Sequence, residues 1–249
     1  MTFAFNLVRQ RFGRAVLSYD TVGQIQRKAG EFLLEKTRAA LSEPPQTILD
    51  VGTGTGLMPM LLLPYYPHSQ YCLNDIAPEM LAYCRKKFMA VPSINYQLGD
   101  LSTLNVAPHD LIVSNFALQW ASNLQEVLRF YHNKTQRVFA FSVLMAGTFA
   151  QWYALLARYQ PFAPPPYLDA DALRLLCRSI SGAGSFYDWQ EEYTLCFANP
   201  RSFLLYLQKL GANAHVQSIA LGALRSLLRN ETKPFTTQYR VFYGLFQCS

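Results

Sequence analysis

Between positions 47 and 143, short apolar runs alternate with segments whose apolar residues recur at helical spacing. Thr47–Val51, Tyr71–Asn74, Ile94–Leu98, Leu111–Ser114 and Val138–Val143 read as strands. Leu57–Leu63, Pro78–Phe88 and Leu124–Tyr131 read as helices, the second with proline at its first position. This alternation predicts an α/β fold, a doubly wound and mostly parallel sheet. Ahead of it, residues 25–41 form an amphipathic helix with Ile25, Ala29, Phe32, Leu33, Ala40 and Leu41 near one face. Pro44 and Pro45 stop it.

Beyond Met145 the pattern changes. Trp152–Tyr159 is helical, residues 161–166 form a stiff proline-rich linker, and Asp169–Ile180 is helical again. Phe186–Phe197 alternates as a strand does. Asn199 and Pro200 cap and open a helix that Gly211 closes, with Phe203, Leu204, Leu207 and Leu210 on its apolar face. Ala220–Arg229 gives a further helix, and Thr236–Phe246 returns to strand. Residues 199–230 are therefore expected as a helical insertion between two late strands of one seven-stranded sheet, within a single domain spanning 1–249.

Composition narrows the class. Hydrophobic residues make up 51% of the 249 and charged residues 15%, against about 25% charged in an ordinary soluble domain. That balance excludes a disordered chain and leaves apolar surface to line a pocket or meet a partner. The longest apolar stretch, Leu57–Pro67, is interrupted by Pro59 and Pro64 and falls short of the ~20 residues of a span. Met1–Arg14 carries Arg9, Arg11 and Arg14 but no long apolar core or cleavage signature. A cytoplasmic monomer without a membrane span is expected. Cys72, Cys84, Cys177, Cys196 and Cys248 are scattered, as are His68, His109, His132 and His215, so no metal site is expected. The net charge of +6 permits nucleic acid, an anionic membrane surface or an acidic protein as partner and narrows little by itself, because the longest basic run is Arg85-Lys86-Lys87. That trio reads as a solvated helix face.

The sharpest local signal is Ile48-Leu49-Asp50-Val51-Gly52-Thr53-Gly54-Thr55-Gly56, a buried strand running into a glycine turn and then a helix. Glycines there let the backbone approach a ligand closely. Asp75, 25 residues beyond Asp50 at the end of the next strand, can accept hydrogen bonds from both hydroxyls of a ribose. Helix capping is its structural alternative. Both a nicotinamide dinucleotide and S-adenosylmethionine suit such a pair, and two details favour the second. Asp50 precedes the glycines, where it can orient an ammonium but would repel a pyrophosphate. The Gly-x-Gly-x-Gly spacing also lacks the third glycine at its dinucleotide position.

Asp75-Ile76-Ala77-Pro78-Glu79-Met80-Leu81 resembles the second motif of class I methyltransferases, Rossmann-like enzymes. By that resemblance Met80 packs against adenine, and Gly99-Asp100-Leu101 supplies an acceptor and an amide to its edge. The same likeness assigns Gly52, Gly54, Gly56, Ile76 and Asn115 to the cofactor site.

A narrower resemblance runs along nearly the whole chain. It is carried by Phe12-Gly13-Arg14-Ala15 with Tyr19, Asp20 and Gln26, and by Asp110–Trp120 with its Ser114-Asn115-x-x-x-Gln119-Trp120 ending. Gly147-Thr148-Phe149, Leu207–Ala212 and Gln238–Gly244 add to it. Together these segments are similar to the malonyl-acyl-carrier-protein O-methyltransferases (the BioC enzymes of biotin synthesis). Two departures mark a divergent member: His132–Arg137 replaces a turn usually like Pro-Gly-Gly, and Thr53 stands where cysteine is common.

The resemblance implies that S-adenosylmethionine esterifies the free carboxylate of a malonyl group carried on an acidic acyl carrier protein. A carboxylate is ionised at neutral pH, so displacement needs alignment and exclusion of water but no general base. The lack of a His-Asp or Cys-His constellation fits that reaction. Arg14 and Arg240, with Arg201 behind them, are the candidates to anchor the substrate carboxylate. Tyr19 is expected over the methyl site, with Gln119 and Trp120 at the carboxyl edge of the sheet. Residues 1–24 and the helices of 199–230 are expected to form a lid. Other readings are a methyltransferase for a free small acid or a quinone, and a non-methylating assembly factor on the same fold.

Overall fold

Successive residues of a strand face opposite sides of its sheet, so a strand buried on both sides must be apolar throughout. The computed structural model describes residues 3–182, 184–212 and 219–248. Its strands are β1 (Thr47–Val51), β2 (Gln70–Asp75), β3 (Ile94–Leu98), β4 (His109–Asn115), β5 (Thr135–Leu144), β6 (Ser185–Phe197) and β7 (Phe235–Gln247). Among the described residues these seven form one sheet in the order β3-β2-β1-β4-β5-β7-β6. The pairs from β3 to β5 are parallel, while β7 runs antiparallel to both β5 and β6. The mostly parallel seven-stranded sheet is the one expected.

Parity along the strands sorts the core. Ile48, Leu111, Val113, Val138, Val241 and Tyr243 fall in one buried cluster, and Leu49, Ile112, Phe139, Phe141 and Phe242 in another. The first is shared with helices α2 (Gln24–Ala40), α3 (Leu57–Leu62), α6 (Ala150–Ala157) and α8 (Pro200–Lys209), the second with α5 (Leu124–Asn133) and α7 (Ala170–Ser181). The remaining helices are α1 (Phe3–Val22), α4 (Pro78–Lys87) and α9 (Leu221–Asn230). Asn199 caps α8 by accepting the Ser202 N–H at 3.0 Å, and Gly211 beyond it has φ +68°, as its sequence foretold. Helices α8 and α9 fill the connection between β6 and β7. Residues 213–218 of that connection, with His215, lie outside the described residues.

The sequence reading placed no helix before residue 25, yet α1 is a helix of 20 residues. It rests chiefly on α4 and α8 rather than on the strands: Val16 buries against Ala77 and Met80, and Ser18 donates to the Lys209 carbonyl. A helix resting on other surface helices needs only a short apolar stripe, which is why its periodicity is faint.

The chain leaves β1 toward β2 and β3, then crosses back to β4 and continues to β5. The loops after β1 and β4 therefore diverge at a topological switch point, where open α/β sheets bind ligands. No helix among the described residues is long and apolar enough to cross a membrane.

Candidate functional site

The glycine turn follows β1 at that switch point. Gly52 has φ +71°, and a Cβ there would collide with the methyl group of Ala117 in the loop after β4. Gly54, at φ +55°, would point a Cβ into open space, so its backbone is bared to whatever enters. Gly56 caps α3 and abuts Phe88. The Thr53 N–H donates to the Asn74 carbonyl at 2.8 Å, which ties the turn to β2.

Asp75 ends β2 beside this turn and is 7% exposed. One carboxylate oxygen accepts the Gly54 N–H at 2.9 Å and the other the Ala77 N–H at 2.8 Å. It thus both steadies the turn of α4 and keeps further lone pairs for a ligand. Burial pushes its pKa up to about 6, against the pull of the Ala77 and Gly54 amides. Asp50 is 1% exposed, and neither of its oxygens has a hydrogen-bond partner. Burial pushes it up to about 7, against the pull of the nearby Thr53 hydroxyl and with the charge of Asp75 adding to the effect. A buried carboxylate left so is costly until a cationic or donor group joins it.

A cleft of about 1140 Å³ opens beside the glycine turn and Asp75, lined by Gly52, Gly54, Asp75, Ile76, Asp100, Leu101 and Asn115. A second cavity of about 50 Å³ adjoins it, walled by aromatic rings that include Phe149, Trp152, Tyr153 and Tyr239. The two share Phe12, Tyr19, Phe116, Gln119, Trp120, Leu144 and Tyr167. Asn115 is held between elements: its amide donates to the Gln26 carbonyl of α2 at 3.0 Å and accepts from Ser142 of β5 at 2.7 Å. Gln119 donates to the Phe116 carbonyl at 2.8 Å, while its own amide oxygen is buried without a partner. Burial holds the Tyr19 and Tyr239 hydroxyls well above the usual phenol range, so both stay protonated at neutral pH.

Six expected residues do not line the cleft: Asp50 is buried, Gly56 abuts Phe88 and Cys84, and four more fall elsewhere. Met80 is wholly buried with Val16 and Ala77, facing α1, and is not among the cleft's lining residues; Ile76 takes that wall instead. Arg14 and Arg201 are exposed on α1 and α8. Arg240 stands opposite Glu192 in the β6–β7 register and bonds it at 2.6 Å, so its charge is already matched. Among the described residues lining the two cavities there is no lysine, arginine or histidine. Of the basic trio, Arg85 and Lys86 are exposed as read, and Lys87 alone departs from a solvated face. Lys87 donates to the Thr55 carbonyl at 2.8 Å and lies 3.7 Å from Asp20, which accepts from the Thr55 hydroxyl at 2.5 Å. That cluster fastens α1 to the glycine turn.

Sequence reasoning missed Phe116 and Phe149. Both sit at positive φ, +56° and +58°, a strained setting for a side chain of that size. Their rings lie 6.2 and 4.6 Å from that of Tyr239, between them. Nothing in the sequence flags an aromatic residue in that conformation. Tyr239 was within reach, since it shares the inner face of β7 with Tyr243 by simple alternation.

Residues 48–137 match the family model described as a methyltransferase domain. Over 245 residues the chain is 31% identical to a malonyl-acyl-carrier-protein O-methyltransferase of Neorickettsia risticii, covering 96% of this chain and 95% of that one. A protein of the same description from Magnetococcus marinus is 29% identical over 252 residues, covering 96% and 91%. Among solved structures, the YcgJ protein from Bacillus subtilis aligns with a TM-score of 0.62 at 13% identity, covering 87% of this chain and 98% of that one. The plantazolicin methyltransferase BpumL in complex with SAH aligns with a TM-score of 0.58 at 15% identity, covering 99% and 95%. At those identities the structural likeness is one of fold.

Proposed function

The chain belongs to the malonyl-acyl-carrier-protein O-methyltransferase family, and on that premise we propose that it methylates the free carboxylate of malonyl-acyl carrier protein, early in biotin synthesis. The observation that carries the reading is the joining of two cavities across Tyr19, Gln119 and Trp120. One has the size and polar floor for a nucleoside cofactor, and the other is a small aromatic chamber for a short acid.

The large cleft suits S-adenosylmethionine. Gly54 bares its backbone to the space above, Asp75 offers lone pairs to ribose hydroxyls, and the unpartnered Asp50 suits an ammonium. Asp100 and Leu101 would meet the adenine edge, with Ile76 on its face. Bound there, the cofactor supplies a methyl group on a positively charged sulfur, open to direct displacement. The chain's own residues align and shield. Asn115, fixed to α2 and β5, sets the loop after β4, and Phe12, Tyr19 and Trp120 wall the junction against water. The acceptor needs no base, because it is already a carboxylate. A net charge of +6 favours an acidic carrier over a free acid.

Labelled S-adenosylmethionine, offered with malonyl-carrier, malonyl-coenzyme A or free malonate, tests the reading. Label should pass fastest to the carrier-bound malonyl group. Transfer only to a free acid would replace the substrate, and binding without transfer to any acceptor would favour a non-enzymatic role.

A further inference from the structure

The acceptor carboxylate arrives as an anion, yet neither cavity offers it a cation among the described lining residues. The small chamber holds neutral donors instead. Gln26, 6% exposed on α2, lines it; one amide N–H is directed at the Tyr239 oxygen, which leaves the second N–H to donate, while the amide oxygen, an acceptor, has no partner. The Tyr206 hydroxyl donates to that of Tyr239 at 3.3 Å, which leaves the Tyr239 proton to be given elsewhere. Tyr19 lines the same chamber and extends to the cofactor cleft. The Gln26 amide and the Tyr19 and Tyr239 side chains thus line one small space walled by rings.

We infer that the malonyl carboxylate is held by neutral donors, the Gln26 amide with the Tyr19 and Tyr239 hydroxyls, and not by an arginine or lysine. The inference rests on the function proposed above and deepens it.

The chemistry favours such a clamp. One carboxylate oxygen bonds to the methyl carbon as the carbon–sulfur bond breaks, and that bond's electron pair stays on sulfur. The negative charge on oxygen and the positive charge on sulfur both fade as the transition state forms. A guanidinium on the carboxylate would bind the ionised ground state more tightly than that transition state and so raise the barrier. Neutral donors lose less as the charge disappears. They also leave no unpaired cation beside the ester product.

The test uses the full chain and malonyl-carrier, with wild-type turnover as the control for the proposed function itself. If the wild-type protein does not methylate malonyl-carrier, that reading fails and the clamp with it. Given wild-type activity, Gln26→Leu should raise the acceptor KM roughly 10- to 100-fold, while calorimetry finds S-adenosylmethionine affinity unchanged. Gln26→Glu, of the same shape, should be nearly inactive at pH 8 and regain acceptor binding as the pH falls and the new carboxyl takes up a proton. This second variant decides the matter if the leucine variant does not fold. An unchanged acceptor KM in Gln26→Leu, or a Gln26→Glu variant active at pH 8, overturns the clamp. So does a large rise in acceptor KM from Arg240→Gln.

Discussion

Phe12 of α1 meets Trp120 edge to face, with ring centroids 5.6 Å apart. The N-terminal helix therefore touches the loop after β4 at the wall shared by the two cavities. Beyond that contact α1 packs Val16 on Ala77 and on Met80 of α4, and is tied by Ser18 to the Lys209 carbonyl at 2.8 Å and by Asp20 to Thr55 and Lys87. Elements held by few buried contacts open at low cost. Hydrogen exchange in α1 and α8 should slow when cofactor and acceptor bind together. Protection confined to the glycine turn would rule out a lid. Phe12→Ala should lower kcat/KM for the acceptor about tenfold or more, with little change in melting temperature.

Asp75 carries the ribose assignment. Asp75→Ala removes two charge-assisted hydrogen bonds to the cofactor, each worth about 1.5–3 kcal/mol, and also frees the Gly54 and Ala77 amides. Calorimetry should find S-adenosylmethionine affinity at least a hundredfold weaker. Undiminished affinity would move the ribose elsewhere.

Two glycines of one turn should fail in different ways. Gly52→Ala drives its methyl group into Ala117 and should lower stability by about 1–3 kcal/mol, read as a lower melting temperature without cofactor. Gly54→Ala meets nothing within 4 Å. It should cost about 1 kcal/mol through its positive φ alone, and its main effect should be on cofactor affinity. A Gly54→Ala variant that binds normally would place the cofactor away from the turn.

Asp50 and Asp75 have pKa values raised by burial from 3.8 to about 7 and about 6. The folded state then binds protons more readily than the unfolded chain. Their contribution to stability is fully present below 3.8 and is lost as pH rises through those folded values. Asp50→Asn should therefore raise the melting temperature of the cofactor-free protein at pH 8, by about 1–3 kcal/mol of stability, and have less effect at pH 5.5. The same change should weaken S-adenosylmethionine binding. Equal stability of wild type and variant at pH 8 would show that Asp50 is relieved by some other group.

Docking of an acidic carrier should be sensitive to salt. Surface charges interact over about 8 Å at physiological ionic strength. Raising salt should increase KM for malonyl-carrier several-fold, leave kcat nearly constant, and scarcely affect the slow reaction of free malonate. A KM independent of salt would argue that the carrier binds through apolar surface.

The buried strands β1, β2, β4 and β5 were legible because each is apolar on both faces, and Asp75 because it ends one of them beside a glycine turn. Met80 was misplaced for want of α1. Its motif position is that of a cofactor residue, but a helix not foreseen in the sequence covers it. Arg240 was misjudged because its partner, Glu192, is set by the antiparallel register of β6 and β7, and register is a property of the assembled pair. Gln26 stood in view only as part of a motif match. What makes it chemically interesting, a buried amide whose N–H group faces a tyrosine hydroxyl, exists only once α2 and β7 have met.

The sheet order also carries a consequence for how the chain reaches its fold. Strand β7 lies between β5 and β6 and is paired along both of its edges. Until residues 235–247 have been synthesised, β5 has one open edge and β6 has no neighbour at all. A nascent chain thus passes through a stage with two unsatisfied strand edges, one of them 13 residues long. Edges of that kind recruit other chains. The arrival of β7 seals the sheet and brings Tyr239 to the wall of the small aromatic cavity. A chain stalled before that point would hold the residues that line the large cleft but lack the Tyr239 wall of the small cavity.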